Sequence, residues 1–188
     1  MAIALLIDSS DSMSSSNKQD YARQTALLLY HFGRELNVPV MVCAHNAQTY
    51  GECDIKSLAD YGSVDGNDKY RICQFRPSGG NRDGAALRYV AEKVSQRQEE
   101  TKIVFVISDG LPSAYYGNEG EKDIKSVLMD YHKKDVKFIA CGLGSDAARI
   151  KELYQQGLTP AMAAEFLDCS DPKQLPISIV RCIKNLIK

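Results

Sequence analysis

Ala4-Leu5-Leu6-Ile7-Asp8-Ser9-Ser10-Asp11-Ser12 is an apolar run that ends in an acid followed by alternating hydroxyls. In an extended segment successive side chains point to opposite sides, so Asp8, Ser10 and Ser12 can converge on one point. One carboxylate and two neutral hydroxyls make a poor proton-transfer set. They make a good partial cage for a hard cation such as Mg²⁺, which takes oxygen ligands in an octahedron. A second apolar run, Ile103-Val104-Phe105-Val106-Ile107-Ser108-Asp109-Gly110, also ends in an acid. Open parallel α/β sheets bind ligands outside the carboxyl ends of neighbouring strands, and two acid-tipped strands are the simplest way to build such a site.

Strand-like and helix-like segments alternate along the rest of the chain. Ala2–Asp8 reads as a buried strand, and helical spacing over Lys18–Leu36 puts Ala22, Ala26, Leu29 and Phe32 on one stripe. Val38–Ala44 reads as a second strand. Between Asn46 and Ser78, Thr49-Tyr50, Ile55 and Tyr70–Phe75 suggest a hairpin or edge strands among loops. Gly84–Arg97 has a helical apolar stripe, Ile103–Ser108 is a strand, Asp123–Lys134 an amphipathic helix and Val136–Leu143 a further buried strand. A short helix over Ala147–Gln156, a last strand at Glu165–Leu167 and a closing helix over Pro172–Ile187 complete the pattern. Such alternation implies right-handed crossovers and a mostly parallel sheet covered on both faces.

The 188 residues suffice for one substantial core, so a single domain over 1–188 is expected, whether free or cut from a longer protein. A formal net charge of -1 argues against a general nucleic-acid binder. No apolar run approaches the ~20 residues that span a bilayer. The first strand begins almost at Met1, which leaves no room for a secretory leader. The six cysteines, at 43, 53, 73, 141, 169 and 182, form no C-x-x-C pair and read as reduced structural thiols. A soluble cytoplasmic domain without nucleic-acid or membrane partners is the expectation.

Between the acid-tipped strands lies Pro77-Ser78-Gly79-Gly80-Asn81-Arg82-Asp83-Gly84-Ala85-Ala86-Leu87-Arg88. Its glycines let the loop fold tightly, and Asn81 or Asp83 can bring one more oxygen to the cation. Taken alone, the segment reads as a turn whose Asn or Asp caps a helix. Cys141-Gly142-Leu143-Gly144-Ser145-Asp146-Ala147 imitates a dinucleotide fingerprint, but too little chain follows for a nucleotide-binding half, so it reads as a tight strand-to-helix turn. The chain has no phosphate-binding G-x-x-x-x-G-K-[ST] loop and no G-x-S-x-G elbow. His31, His45 and His132 have no evident nucleophile beside them.

Asp8-Ser9-Ser10-Asp11-Ser12, Gly79-Gly80-Asn81 and Ser108-Asp109-Gly110, in this order, resemble the three loops of the von Willebrand factor A (vWA) domain and its metal-ion-dependent adhesion site. The resemblance covers nearly the whole chain. It implies a Rossmann-like, doubly wound, mostly parallel six-stranded sheet with one antiparallel edge strand and helices on both faces. It also implies a Mg²⁺ ion (or Mn²⁺ or Ca²⁺) held by Asp8, Ser10, Ser12, Asp109 and Asn81, with Asp83 as the alternative to Asn81. The family's function would then be non-catalytic: gripping a partner protein's Asp or Glu through the ion. The segments Asn81–Arg88 and Ile107–Pro112 are most similar to a bacterial branch that includes cobalt-chelatase subunits and nitric-oxide-reductase activation proteins, which implies a MoxR-type AAA+ ATPase as partner.

Two positions depart from the family pattern: Asn81 stands where Thr is usual, and Asp11 where Gly is common. Asp11 either adds negative charge near the site or is a solvated loop acid. The enzyme alternative is a Mg²⁺-dependent phosphatase of the haloacid dehalogenase type. Such enzymes carry an acid two residues after the nucleophilic Asp; here that residue is Ser10, which cannot act as a carboxylic acid.

Overall fold

A computed structural model describes residues 1–117 and 119–186. Six strands, β1 (Ala2–Asp8), β2 (Val40–Asn46), β3 (Asp54–Ala59), β4 (Lys102–Ser108), β5 (Val136–Leu143) and β6 (Glu165–Cys169), form one sheet in the order β3-β2-β1-β4-β5-β6. All neighbours run parallel except β3, which pairs antiparallel with β2 at one edge. The helices are α1 (Lys18–Leu36), α2 (Asp68–Gln74), α3 (Asp83–Ser95), α4 (Glu119–His132), α5 (Ala147–Gln155) and α6 (Leu175–Leu186). This is the doubly wound sheet expected from the alternation of elements.

The central strands are apolar on both sides because both faces are covered. Ile3, Leu5 and Ile7 of β1, with Ile103, Phe105 and Ile107 of β4, pack in one core cluster with residues of α1, α2 and α6. Ala4, Leu6, Val104 and Val106 point to the other face and pack in a second cluster with residues of α3, α4 and α5. No described helix is long and apolar enough to cross a membrane. All six cysteines are free thiols.

The strand order reverses between β1 and β4, since successive strands are laid down in opposite directions from these two. Crossovers therefore leave to opposite sides there, and a crevice opens outside the carboxyl ends of β1 and β4. Asp8 and Ser108 are the last residues of those two strands. Sheet topology, rather than any local preference, makes this the place where a ligand fits.

Most elements fall where the sequence places them, with two informative differences. Tyr70–Phe75 is not an edge strand; the segment lies largely in α2, which buries Ile72 completely. A short apolar run does not by its periodicity distinguish strand from helix. Here Arg71 bonds Asp65 Oδ2 at 2.8 Å and the Leu58 carbonyl at 3.1 Å, and it also pairs with Asp68 one turn earlier, tying the helical turn to β3. The fourth helix starts at Glu119, earlier than the expected Asp123, and its Gly120 lies close against Pro112 and Tyr115. Ile187, the expected end of the closing helix, lies outside the described residues.

Candidate metal site

The site is built from three loops at the crevice, and each is held in place by something other than the ion ligands. In the first loop, Met13 is fully buried in the core and pins a 3-10 turn over Asp11–Ser14. That anchor presents Ser12 at the rim while Ser10 stays buried. Asp8 is fully buried at the end of β1, where its Oδ1 accepts the Ser10 backbone N–H at 2.8 Å. Ser10 Oγ and Ser12 Oγ stand 3.1 Å apart, and Ser12 Oγ donates to Asp109 Oδ1 at 2.6 Å.

The second loop is strapped on both sides. Ala47 and Gly80 exchange backbone hydrogen bonds at 2.9 and 2.8 Å, the Asp11 N–H donates to the Gly79 carbonyl at 2.9 Å, and the Ser78 N–H donates to the Ser9 carbonyl at 2.8 Å. These bonds bring Asn81 to the floor of the site, but its amide oxygen does not face the ion position. Oδ1 accepts the Ser113 N–H at 2.9 Å and the Ser113 hydroxyl at 2.8 Å, while Nδ2 donates to Asp8 Oδ2 at 3.1 Å. The backbone donor of Ser113 settles which end of the amide is oxygen, because an N–H cannot donate to an NH₂ group. Asn81 thus stands against Asp8 through its amide nitrogen, with its oxygen, the atom expected to face an ion, turned to Ser113.

The alternative residue, Asp83, is buried near the same two acids. It is 1% exposed at the start of α3, with no hydrogen-bond partner for either carboxylate oxygen, and Oδ1 lies 3.7 Å from His45 Nε2. It makes no capping bond to the helix it begins. Burial, reinforced by the charge of Asp8, pushes the Asp83 carboxyl well above the usual carboxylate range, and burial pulls His45 down to about 4. Both shifts favour the neutral forms and so work against an ion pair at this contact. Asp11, for its part, is a solvated acid.

Burial also raises the Asp8 carboxyl to about 6, with a smaller push from Asp109, against the hydrogen bonds from Ser10 and Asn81. A buried acid beside a second acid has a standing need for positive charge. Asp109, whose side chain is fully buried, meets that need through Lys18 Nζ, 2.6 Å from Oδ2.

The donor set fits a hard divalent ion. Adjacent oxygens of an octahedron with bonds of about 2.1 Å stand about 3 Å apart. The Ser10–Ser12 and Ser12–Asp109 oxygen separations of 3.1 and 2.6 Å bracket that edge. Nitrogen and sulfur donors are missing from this chain of oxygens. Among the described residues no three His, Cys, Asp or Glu side chains gather into a metal cluster, so any ion here depends on the hydroxyls.

The model of the von Willebrand factor type A domain matches residues 2–179. The chain belongs to this family. It is similar to the vWF domain of the type V pili tip protein Mfa5 from Porphyromonas gingivalis, with a TM-score of 0.73 and 10% identity over 98% of this chain and 94% of that one. It is also similar to proximal thread matrix protein 1 from the mussel byssus, solved with a zinc-occupied MIDAS motif. That match has a TM-score of 0.65 and 18% identity over 97% of this chain and 46% of the other. At such identities the likeness shows the vWA fold. A curated relative, the uncharacterised YojO of Bacillus subtilis (strain 168), is 26% identical over 97% of this chain but only 29% of its own length, so the domain spans under a third of that protein. Domains of the vWA family generally serve adhesion and interaction without catalysis, and members hold divalent ions at the MIDAS motif, zinc in the byssus protein. The phosphatase alternative is not favoured.

Sequence reasoning missed Lys18, His45, Ser108 and Ser113. Lys18 opens α1 and carries no local signal of its partner 91 residues away. His45 is the register partner of Asp8, a relation visible only once β2 is known to lie beside β1. Ser108 Oγ reaches Asp8 Oδ2 at 3.4 Å, and its position at the end of the second acid-tipped strand was the one available hint.

Proposed function

We propose that this vWA domain is a divalent-cation-dependent protein-binding module that grips an acidic side chain of a partner. Asp8, Ser10, Ser12 and Asp109 hold the ion, with Mg²⁺ as the resident species and Mn²⁺ or Ca²⁺ as substitutes. The observation that carries this reading is the continuous chain of oxygens from Ser10 through Ser12 to Asp109, beside Asp8 at the crevice where the strand order reverses. When bound, the ion supplies an electrophilic coordination position for a partner's carboxylate. The protein's own contribution is orientation: Asn81 and the Ser10 backbone N–H fix the Asp8 carboxylate, and Met13 fixes the turn that carries Ser12. Ser10 stands where a phosphatase of the alternative type needs an acid, and its hydroxyl is too weak an acid to protonate a leaving group at neutral pH.

The partner system we propose is a MoxR-type AAA+ ATPase acting in metal insertion or complex remodelling in the cytoplasm. The support is the similarity of the Asn81–Arg88 and Ile107–Pro112 segments to the chelatase-type branch, together with six free thiols suited to a reducing compartment.

Titration calorimetry of metal-stripped protein tests the ion site. One Mn²⁺ or Mg²⁺ should bind, and Asp8→Ala should weaken it by about a hundredfold or more. Pull-downs from the source cell, with and without EDTA, test the grip. Partners should be recovered by the wild type only with divalent metal, and not by the Ser10→Ala/Ser12→Ala double variant. Equal metal binding by Asp8→Ala, or the same partners under all conditions, would sink the reading.

A further inference from the structure

Among the described residues, Lys18 is the cation that pairs with one of the two acids. Its Nζ lies 2.6 Å from Asp109 Oδ2 and 3.5 Å from the Ser12 carbonyl. The pair is well shielded, with the Lys18 side chain 13% exposed and that of Asp109 fully buried. Little solvent or salt can weaken such a contact. The lysine stem is also walled in. A Cβ on Gly144, at the turn between β5 and α5, would stand 3.1 Å from Lys18 Cε, so that turn already lies against the side chain. The ammonium is therefore held at Asp109 by its own packing.

Every carboxylate oxygen of Asp8 and Asp109 already has a protein donor. Asp8 Oδ1 takes the Ser10 N–H, and Asp8 Oδ2 takes Asn81 and Ser108. Asp109 Oδ1 takes Ser12, and Asp109 Oδ2 takes Lys18. The donors on Asp8 are neutral and leave its charge uncompensated. Lys18 alone cancels a full charge. With both acids ionised the two carboxylates and one ammonium sum to -1, whereas without the ammonium they sum to -2. An incoming divalent ion therefore meets about half the attraction that the acids alone would exert, because the fixed cation on the same carboxylate repels it.

We propose that Lys18 is a specificity-determining residue of this site: its ammonium is a built-in counter-ion that competes with the divalent ion for Asp109 and sets a weak resting affinity for metal. The inference rests on the ion-site reading above. Lys18 takes the place of the metal when none is bound, and it leaves the loaded site with a net charge of +1 for a partner's carboxylate to neutralise. It also keeps the two acids from repelling one another in the metal-free protein. Removing one member of a buried ion pair leaves the other uncompensated, so the metal-free fold must lose stability when Lys18 is removed.

Lys18→Met keeps the apolar stem and deletes the charge, and Lys18→Arg keeps the charge. Mn²⁺ affinity should rise by on the order of tenfold in Lys18→Met and stay within about threefold of wild type in Lys18→Arg. In the absence of metal, Lys18→Met should melt below wild type, and saturating Mn²⁺ should close or reverse that gap. A purely structural lysine would lower the melting temperature with and without metal and leave Mn²⁺ affinity unchanged or weakened; that result overturns the proposal. Asp8→Ala is measured alongside. If it binds Mn²⁺ as well as wild type does, the ion-site reading itself fails. If Asp8→Ala abolishes binding while Lys18→Met leaves it unchanged, only the role of Lys18 fails.

Discussion

Asn81 commits both ends of its amide to other protein groups: the oxygen to Ser113 and the nitrogen to Asp8. The sequence places it where the family has a hydroxyl residue, and the longer side chain ties Asp8 to Ser113 in the loop that follows β4. A group that orients a metal ligand changes affinity less than a ligand does, typically by about 10- to 100-fold. Asn81→Ala should accordingly weaken Mn²⁺ binding by about tenfold, well short of the loss from Asp8→Ala. Ser113→Ala should act through Asn81, so the double variant should be no worse than Asn81→Ala alone, a non-additivity that a double-mutant cycle by calorimetry reads directly. Asp83→Ala should matter less than Asn81→Ala, because burial raises that carboxyl well above the usual range, which disfavours its charged form, and its Oδ1 faces His45. Additive losses at Asn81 and Ser113, or a larger loss at Asp83, would show that the amide is not acting as this geometry requires. Residue identity was legible in the sequence; the direction an amide faces was not, since it depends on a backbone N–H 32 positions away.

At the scale of elements, the loop Pro77–Arg82 decides whether the three parts of the site meet. Gly79 has φ +68°, and a Cβ there would lie 2.4 Å from the Ala47 carbonyl oxygen. A left-handed conformation costs a non-glycine residue about 1–2 kcal/mol before any clash. The backbone oxygen cannot step aside without breaking the paired bonds between Ala47 and Gly80. Gly79→Ala should therefore destabilise the domain by at least that amount and also weaken Mn²⁺ binding, seen as a lower melting temperature together with a weaker calorimetric signal. Full metal affinity in a folded Gly79→Ala protein would mean the strap is not needed. The glycine pair was readable as a tight loop, whereas the strand end it straps to was not. The same limit explains α2: the apolar residues Tyr70, Ile72, Cys73 and Phe75 read as a strand, and the bonds from Arg71 to Leu58 and Asp65, which tie the helix to β3, are invisible in the sequence.

For the molecule as a whole, ion binding and folding are one equilibrium. An ion that binds only the folded state at a hundred times its Kd adds about 2.7 kcal/mol of stability, or roughly 5–10 °C in melting temperature for a domain of this size. Protons compete for the same acid, because Asp8 is raised to about 6 from 3.8. In the metal-free protein the contribution of Asp8 is complete below pH 3.8 and is lost as pH rises through about 6, since the folded state holds the proton more tightly. His45 runs the other way, its contribution present above pH 6.5 and lost as pH falls through about 4, but it acts alike with and without the ion. At fixed Mn²⁺ the stabilisation should therefore be full near pH 7.5 and fall to about half at pH 5, where affinity is about tenfold lower. Melting curves with and without Mn²⁺ across that range check it, and a pH-independent gain would remove Asp8 from the ligand set.

The amino-acid sequence by itself determined the alternation of strands and helices, the two acid-tipped runs and the Ser10–Ser12 hydroxyl pattern, because each is a local matter of periodicity and side-chain type. Those features sufficed for the fold class and for naming the acids and hydroxyls of the site. The tertiary structure decided which strand ends are neighbours, which way Asn81 faces, and that the buried His45 and Asp83 stand 3.7 Å apart. It also decided that Lys18 stands on Asp109. Each of these turns on a contact between residues far apart in the chain, and such contacts exist only once the crossovers have stacked β1 between β2 and β4. Side-chain type reports what a residue can do, and the packed sheet selects the partner with which it does it.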